Sequence, residues 1–198
     1  MTDRPFGQAP KTSVLAGLTK LAQGDATGIM HFGHTPRAFL LSLVPMIALP
    51  LTIGIATMAS GAVVQALEDL TASFCVLLLP PVISHTLAKV WKREEPWLRF
   101  AVAFNWCQFA LSTLCVGVLL VLGIVLGTAG GAVGADTVMA IVALMCLGIV
   151  GYGLWLHWFV ARWGLGVSGG KAALLVLATY AGTFSILLIR GAMLANPA

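Results

Sequence analysis

The most constraining feature of the sequence is a pair of long apolar runs separated by a short charged connector. Residues 70–90 are almost entirely apolar, residues 91–97 read WKREEPW, and a second apolar run continues to residue 127. A transmembrane helix needs about 20 consecutive apolar residues to cross the roughly 30 Å hydrocarbon core of a bilayer. Both runs meet this length, and the charged connector requires water. We therefore interpret residues 70–127 as a transmembrane hairpin.

The composition excludes a water-soluble globule. Apolar residues make up 59% of the chain and charged residues only 9%, whereas a soluble domain carries roughly 25% charged residues. The net charge of +4 comes from basic residues at the ends of apolar runs. A nucleic-acid-binding surface would instead need a basic patch or stripe on a soluble face, so we predict no nucleic-acid partner.

The whole chain predicts an all-α, polytopic integral membrane bundle with five transmembrane helices and a short N-terminal amphipathic helix. The predicted spans cover about residues 38–60, 70–90, 97–127, 137–160 and 172–194. Residues 1–37 form an N-terminal segment, and residues 38–198 form the membrane domain. Within the segment, residues 11–24 have helical apolar periodicity and end at a glycine. This helix either lies in the membrane interface or packs on the ends of the spans.

The distribution of basic residues predicts the orientation. Ten of the eleven Lys and Arg residues lie in the N-terminal segment, the second-to-third connector or the fourth-to-fifth connector, and only Arg190 lies near the other side. Cytoplasmic loops carry the excess of Lys and Arg. We therefore expect a multi-pass protein of the inner (plasma) membrane of a bacterium, with a cytoplasmic N-terminus and a periplasmic C-terminus.

Prolines interrupt two of the predicted spans. Pro45 and Pro50 fall in the first span, and Pro80 and Pro81 lie near the centre of the second. Each proline removes a helical hydrogen bond, so we predict kinks or local breaks, with Pro80 and Pro81 as the main kink. The freed carbonyls need partners within the membrane. The middle of the second span is therefore expected to be buried, with Ser84 and Thr86 close enough to help.

Four polar residues within the spans form a candidate site. They are His85, Asn105, Gln108 and His157. At about 1.5 Å per residue, we place them ~7 to 17 Å inside the cytoplasmic helix ends. They either form a polar pocket open to the cytoplasm or hydrogen-bond the helices together, at about 0.6 kcal/mol each. The second interpretation is the more common one for such residues.

Motifs for catalysis and metal binding receive little support from the sequence. HExxH and a paired intramembrane carboxylate are missing. Residues 166–170 read GVSGG and fit the GxSxG pattern, but they join two predicted helices, whereas the nucleophile motif needs a strand followed by a helix. The four cysteines are isolated in apolar runs, and His31 and His34 have no further ligands close by in sequence. We predict no catalytic residue, no cofactor and no metal.

The layout resembles the Yip1 family. The likeness covers roughly residues 30–195 and rests on three features: a proline-bearing entry to the first span (HTPRAFLLSLVP), five spans with small loops, and the stretch WLHWFVARWGLGVSGGKAALLVLATYAG. The last stretch contains a Ser-x-x-Lys-Ala link at Ser168, Lys171 and Ala172. The resemblance implies a five-span membrane fold. The DLYGP-type motif of eukaryotic members is missing, so no trafficking role and no functional residue is transferred.

The sequence favours a non-catalytic membrane scaffold or adaptor that engages lipids or partner proteins, with homo-oligomerisation also open. The alternative is a small-molecule or lipid transporter that uses the cytoplasm-facing polar pocket. A membrane enzyme is the third possibility.

Overall fold

A computed structural model of the chain describes residues 13–128 and 134–195. The first two residues of the predicted helix 11–24 lie outside these ranges. In chain order the elements are α1 (Val14–Ala22), a 3₁₀ helix (Ala26–His31), α2 (Pro36–Ala59), α3 (Val63–Val90), α4 (Trp97–Thr128), α5 (Ala135–Leu165) and α6 (Gly169–Ala195).

Helices α2 to α6 are long and apolar enough to cross a membrane. Their apolar stretches contain 24 to 29 residues, and large apolar side chains such as Leu120 and Leu144 point away from the bundle. The prediction of an all-α bundle with five spans is confirmed. The protein is an integral membrane protein.

The second spanning helix begins earlier than predicted. α3 starts at Val63 rather than near residue 70, so Glu68 and Asp69 are helical. Gly61, with φ +91°, ends the preceding turn, and neither glycine nor proline follows it before residue 80. Two acidic residues do not stop a helix by themselves, and Asp69 forms an ion pair with Arg190 of α6.

The prolines do not break the helices. α3 remains helical through Pro80 and Pro81, and α2 remains helical through both of its prolines. The Ser84 hydroxyl donates to the Pro81 carbonyl at 3.1 Å. The Trp97 indole N–H then donates to the Ser84 oxygen at 3.1 Å. This chain of hydrogen bonds connects the proline region of α3 to α4, and Ser84 is buried, as expected.

The N-terminal segment packs on one end of the bundle, which we call the capped end. In α1, Gly17 and Leu21 are buried, and the helix contacts α4 and α5. The Tyr152 hydroxyl of α5 donates to the carbonyl of Ala22, the last residue of α1, at 2.9 Å. Lys20 binds Thr27 within the segment. In the structure, α1 therefore packs on the ends of the spans, which is one of the two interpretations given for this helix.

The best-packed part of the core also lies at the capped end. Phe32, Phe100, Leu165 and Leu175 are almost completely buried there. They come from the N-terminal segment, α4, α5 and α6. The opposite end, which we call the distal end, carries the α2–α3 turn and the end of α6. Packing is looser towards that end, and a cavity is present.

Candidate functional site

The candidate site is a cavity of about 320 Å³ enclosed by α2, α3, α4 and α6, which we call the central cavity. Apolar side chains form most of its wall, including Met46, Leu77, Phe104 and Leu187. Polar side chains line the remainder, namely Ser73, Asn105, Gln108, Ser112, Thr179, Tyr180, Thr183 and Arg190. An apolar space with a few polar groups is the usual form of a small-molecule site.

Two of the four predicted site residues line the central cavity. Asn105 and Gln108 are three residues apart on α4 and contribute to the same wall. Asn105 is buried, and its amide donates to the Ser42 hydroxyl of α2 at 2.9 Å. Ser42 donates in turn to the Phe39 carbonyl at 2.7 Å. Asn105 therefore holds α4 to α2, whereas Gln108 is the more available of the two amides.

His157 lies behind the cavity wall. Its side chain is fully buried, and its ring centroid is 4.3 Å from that of Phe104. The ring Nδ1 and the Tyr180 hydroxyl are 2.9 Å apart. The Nε2 atom has no hydrogen-bond partner among the described residues. Because Tyr180 lines the cavity, His157 contacts the site through Tyr180.

The structure does not place His85 in the site. His85 is exposed on α3, and its ring packs edge-on against Trp97 with centroids 4.7 Å apart. The preceding residue, Ser84, faces the bundle interior. Consecutive residues on a helix diverge by about 100°, so His85 turns outwards. Of the proline pair, Pro80 lines the cavity, and Pro81 is not among its lining residues.

The position of the cavity along the bundle also differs from the prediction. Asn105 lies eight residues after Trp97, about 12 Å along α4, and Arg190 lies 21 residues after Gly169, about 32 Å along α6. The cavity therefore occupies the middle and the distal half of the bundle. The half where the pocket was expected is filled by the core around Phe100 and Leu175.

Helix α6 supplies polar groups that the sequence interpretation missed. Thr179, Tyr180, Thr183 and Arg190 all line the cavity. Positions 179, 183, 187 and 190 follow the spacing of three and four residues that marks one helix face. This spacing is readable in the sequence, but the predicted pocket contains only polar residues of the cytoplasmic half. The sequence prediction uses Arg190 only as an orientation signal.

An ion pair between α3 and α6 borders the cavity. Arg190 donates to the Asp69 carboxylate, and the two side chains are 37% and 28% exposed. The negative charge of Asp69 and the positive charge of Arg190 cancel, so the pair has no net charge. Arg190 lines the cavity and is partly exposed, so it can also interact with a bound molecule, whereas Asp69 is not among the lining residues.

Within residues 13–128 and 134–195, no group of three or more His, Cys, Asp or Glu side chains could hold a metal ion. His34 faces the Arg99 guanidinium at 3.5 Å, and that positive charge repels a cation. The four cysteines are free thiols.

No family model, no curated protein and no solved structure matches the chain. The resemblance to the Yip1 family therefore has no support at the family level and stays a prediction.

Proposed function

We propose that this integral membrane protein is a non-catalytic carrier that binds an amphipathic small molecule or lipid in the central cavity. The observation that carries the proposal is the set of polar side chains, above all Gln108 and Tyr180, on the wall of an otherwise apolar space. This is the transporter interpretation of the sequence, with the pocket moved towards the distal end.

The size and chemistry of the cavity support this proposal. Its volume of about 320 Å³ falls within the range of ligand sites, roughly 300–1,000 Å³. Among the described residues that line it, the functional groups are amides, hydroxyls and one guanidinium. Such groups orient a ligand by hydrogen bonds. General acid–base chemistry usually relies on imidazoles or carboxylates, which is why we propose binding rather than catalysis.

The scaffold interpretation has less specific support. It calls for a surface that differs from the lipid-facing surface of any span. Large apolar side chains are exposed on all five spanning helices, for example Leu40, Val82, Ile124, Leu147 and Leu188. Contact with lipid accounts for such exposure. The central cavity is the more distinctive feature of the bundle.

The proposed orientation places the capped end in the cytoplasm and the distal end in the periplasm of a bacterial inner membrane. The basic residues support this orientation: Lys89, Arg93, Arg99, Arg162 and Lys171 all belong to connectors or helix ends at the capped end. The central cavity then occupies the periplasmic half of the membrane. A reporter fused to the C-terminus tests this, and a cytoplasmic reporter would refute it.

The binding proposal is tested by comparing Gln108→Leu with Gln65→Leu. Gln108 is half-buried in the cavity wall, whereas Gln65 is exposed at the start of α3. Gln65→Leu is therefore the same substitution at a position outside the cavity. Each protein is purified in mild detergent, and its co-purified molecules are extracted and quantified by mass spectrometry.

We expect the wild type and Gln65→Leu to retain the same amphipathic molecule in similar amounts. Gln108→Leu is expected to retain about two- to tenfold less, as the loss of one hydrogen bond implies. Matched thermal unfolding of the three proteins serves as the folding control. The proposal is refuted if no molecule co-purifies with the wild type, or if Gln108→Leu retains as much as Gln65→Leu.

A further inference from the structure

A second cavity lies on the outside of the bundle, along the contact between α3 and α6. Its volume is about 490 Å³. We call it the seam groove. Its apolar wall includes Leu67, Ile186 and Ile189, and its charged side chains are Glu68 and Arg190. Leu67 and Ile189 are 53% and 60% exposed, so the groove opens towards the surrounding lipid.

The charged side chains lie near the boundary between lipid headgroups and acyl chains, within reach of the headgroups. α3 has 28 residues, and at ~1.5 Å per residue it is about 42 Å long, against a hydrocarbon core of roughly 30 Å. A centred helix therefore extends about 6 Å beyond the core at each end. Glu68 lies five residues from the start of α3, and Arg190 lies five residues from the end of α6. Both positions are about 8 Å from the helix ends, at the boundary between headgroups and acyl chains.

The rest of the groove continues into the apolar part of the membrane. Thr71, Cys75 and Ile186 lie one to two turns further from the distal end than the charged side chains. The groove is therefore charged at headgroup depth and mainly apolar below, which is the order of polarity in a phospholipid.

The charges indicate which headgroup fits. Asp69 is already paired with Arg190, and among the described residues Glu68 has no ion pair. With two carboxylates and one guanidinium, the formal charge of this cluster is −1. A guanidinium has five N–H donors, so Arg190 can bind a phosphate oxygen while it keeps its bond to Asp69. Glu68 is left to accept hydrogen bonds from a cation.

We propose that the seam groove binds a zwitterionic aminophospholipid, with its phosphate at Arg190 and its primary ammonium at Glu68. A primary ammonium supplies three N–H donors, whereas a quaternary ammonium supplies none. An anionic phospholipid would add a net negative charge beside a cluster that is already negative. Phosphatidylethanolamine therefore fits better than phosphatidylcholine or phosphatidylglycerol. The inference stands apart from the proposed function, because it concerns the lipid-facing side of the α3–α6 contact.

The test is native mass spectrometry of the full chain in detergent, with phosphatidylethanolamine and phosphatidylglycerol of identical acyl chains at equal concentration. The measured quantity is the ratio of the two lipids bound to each variant, relative to the wild type. Glu68→Gln makes the cluster neutral and Glu68→Lys makes it positive. We expect the ratio to fall about two- to fivefold in Glu68→Gln, the range of a partly exposed ion pair, and further in Glu68→Lys.

Glu95→Gln is the matched control, because Glu95 is exposed in the connector at the capped end. An equal fall in Glu95→Gln and Glu68→Gln would mean a general charge effect and would overturn the proposal. An unchanged ratio in Glu68→Lys would also overturn it.

A second pair of variants tests the groove without changing charge. Ile189→Trp fills the groove, whereas Ile55→Trp adds the same ring to an exposed position of α2. We expect only Ile189→Trp to lower the amount of bound phosphatidylethanolamine, and equal amounts in both variants would contradict the assignment. Gln108→Leu should leave the lipid ratio unchanged, so a failure of the central-cavity proposal is distinguishable from a failure of this one.

Discussion

The hydrogen bond between His157 and Tyr180 leads to a prediction in which one mutation rescues another. His157 is fully buried, and its ring Nδ1 atom is 2.9 Å from the Tyr180 hydroxyl. Tyr180→Phe keeps the aromatic ring and removes the hydroxyl. The buried imidazole then loses its bond to α6, and its Nε2 atom has no partner among the described residues.

The expected loss of stability depends on whether one or both partners of the hydrogen bond are removed. Leaving a buried polar group without its partner costs about 1–3 kcal/mol, whereas replacing both partners by apolar groups is nearly neutral. Interhelical hydrogen bonds in membranes average about 0.6 kcal/mol and reach about 1.7. We therefore expect Tyr180→Phe to lower the free energy of unfolding by about 1–2 kcal/mol.

His157→Phe should cost less than Tyr180→Phe. The new ring stays against Phe104, and the freed Tyr180 hydroxyl borders the central cavity, where water or a ligand can reach it. We expect a loss of about 0–1 kcal/mol. The double variant contains no polar group at either position, so it should be more stable than Tyr180→Phe alone.

The assay is SDS titration of the purified protein in mixed micelles, followed by far-UV circular dichroism for the wild type, both single variants and the double variant. The refuting result is specific. If the double variant is no more stable than Tyr180→Phe, or if His157→Phe is the costlier single change, the imidazole is not the group left unsatisfied.

Three further predictions concern other contacts. Gly28→Ala would place a Cβ 2.8 Å from a backbone oxygen of α1. We therefore expect the free energy of unfolding to fall by about 1–3 kcal/mol and trypsin to cleave faster within α1. Unchanged cleavage would contradict this prediction. Hydrogen bonds from Thr27 lower the pKa of the Asp25 carboxyl below its ordinary value of 3.8, so its stabilisation of the 3₁₀ helix is present above about pH 3.8 and is lost as the pH falls through the lowered pKa. Asp25→Asn should remove this dependence in hydrogen exchange corrected for intrinsic rates, and an identical pH profile speaks against it. Trp97→Phe removes the indole bond to Ser84 and should cost about 0.5–1.5 kcal/mol in the SDS titration, where unaltered stability would refute that role.

Most of the fold was predictable because the bilayer imposes a length on every apolar run. The five spans follow from this requirement. The early start of α3 does not, because Glu68 and Asp69 look like part of a polar connector in the sequence. Charge alone does not end a helix, and the partner that stabilises Asp69 is Arg190, 121 residues away. A contact over such a distance in sequence is decided by tertiary packing and cannot be found from local patterns.

The candidate site was only partly predictable, for a similar reason. Asn105 and Gln108 share a wall because a spacing of three residues places side chains on one helix face, and that rule needs no tertiary information. The prediction for His85 rests on its depth in the span, and depth does not determine which face of α3 turns inwards. The position of Ser84 against Trp97 decides that face, and this hydrogen bond exists only once α3 and α4 are packed.

The place of Arg190 argues for a role beyond holding two helices together. A partly exposed ion pair contributes only about 0–1 kcal/mol to stability, so contact between α3 and α6 does not depend on these charges. At Gly182, two turns before Arg190, a Cβ would lie 2.6 Å from Leu79, which shows that the two helices approach closely near mid-membrane. The wall that carries Arg190 faces the central cavity on one side and the seam groove on the other. A partly exposed charge at headgroup depth, in contact with two mainly apolar spaces, suits amphipathic molecules with a polar end at that level.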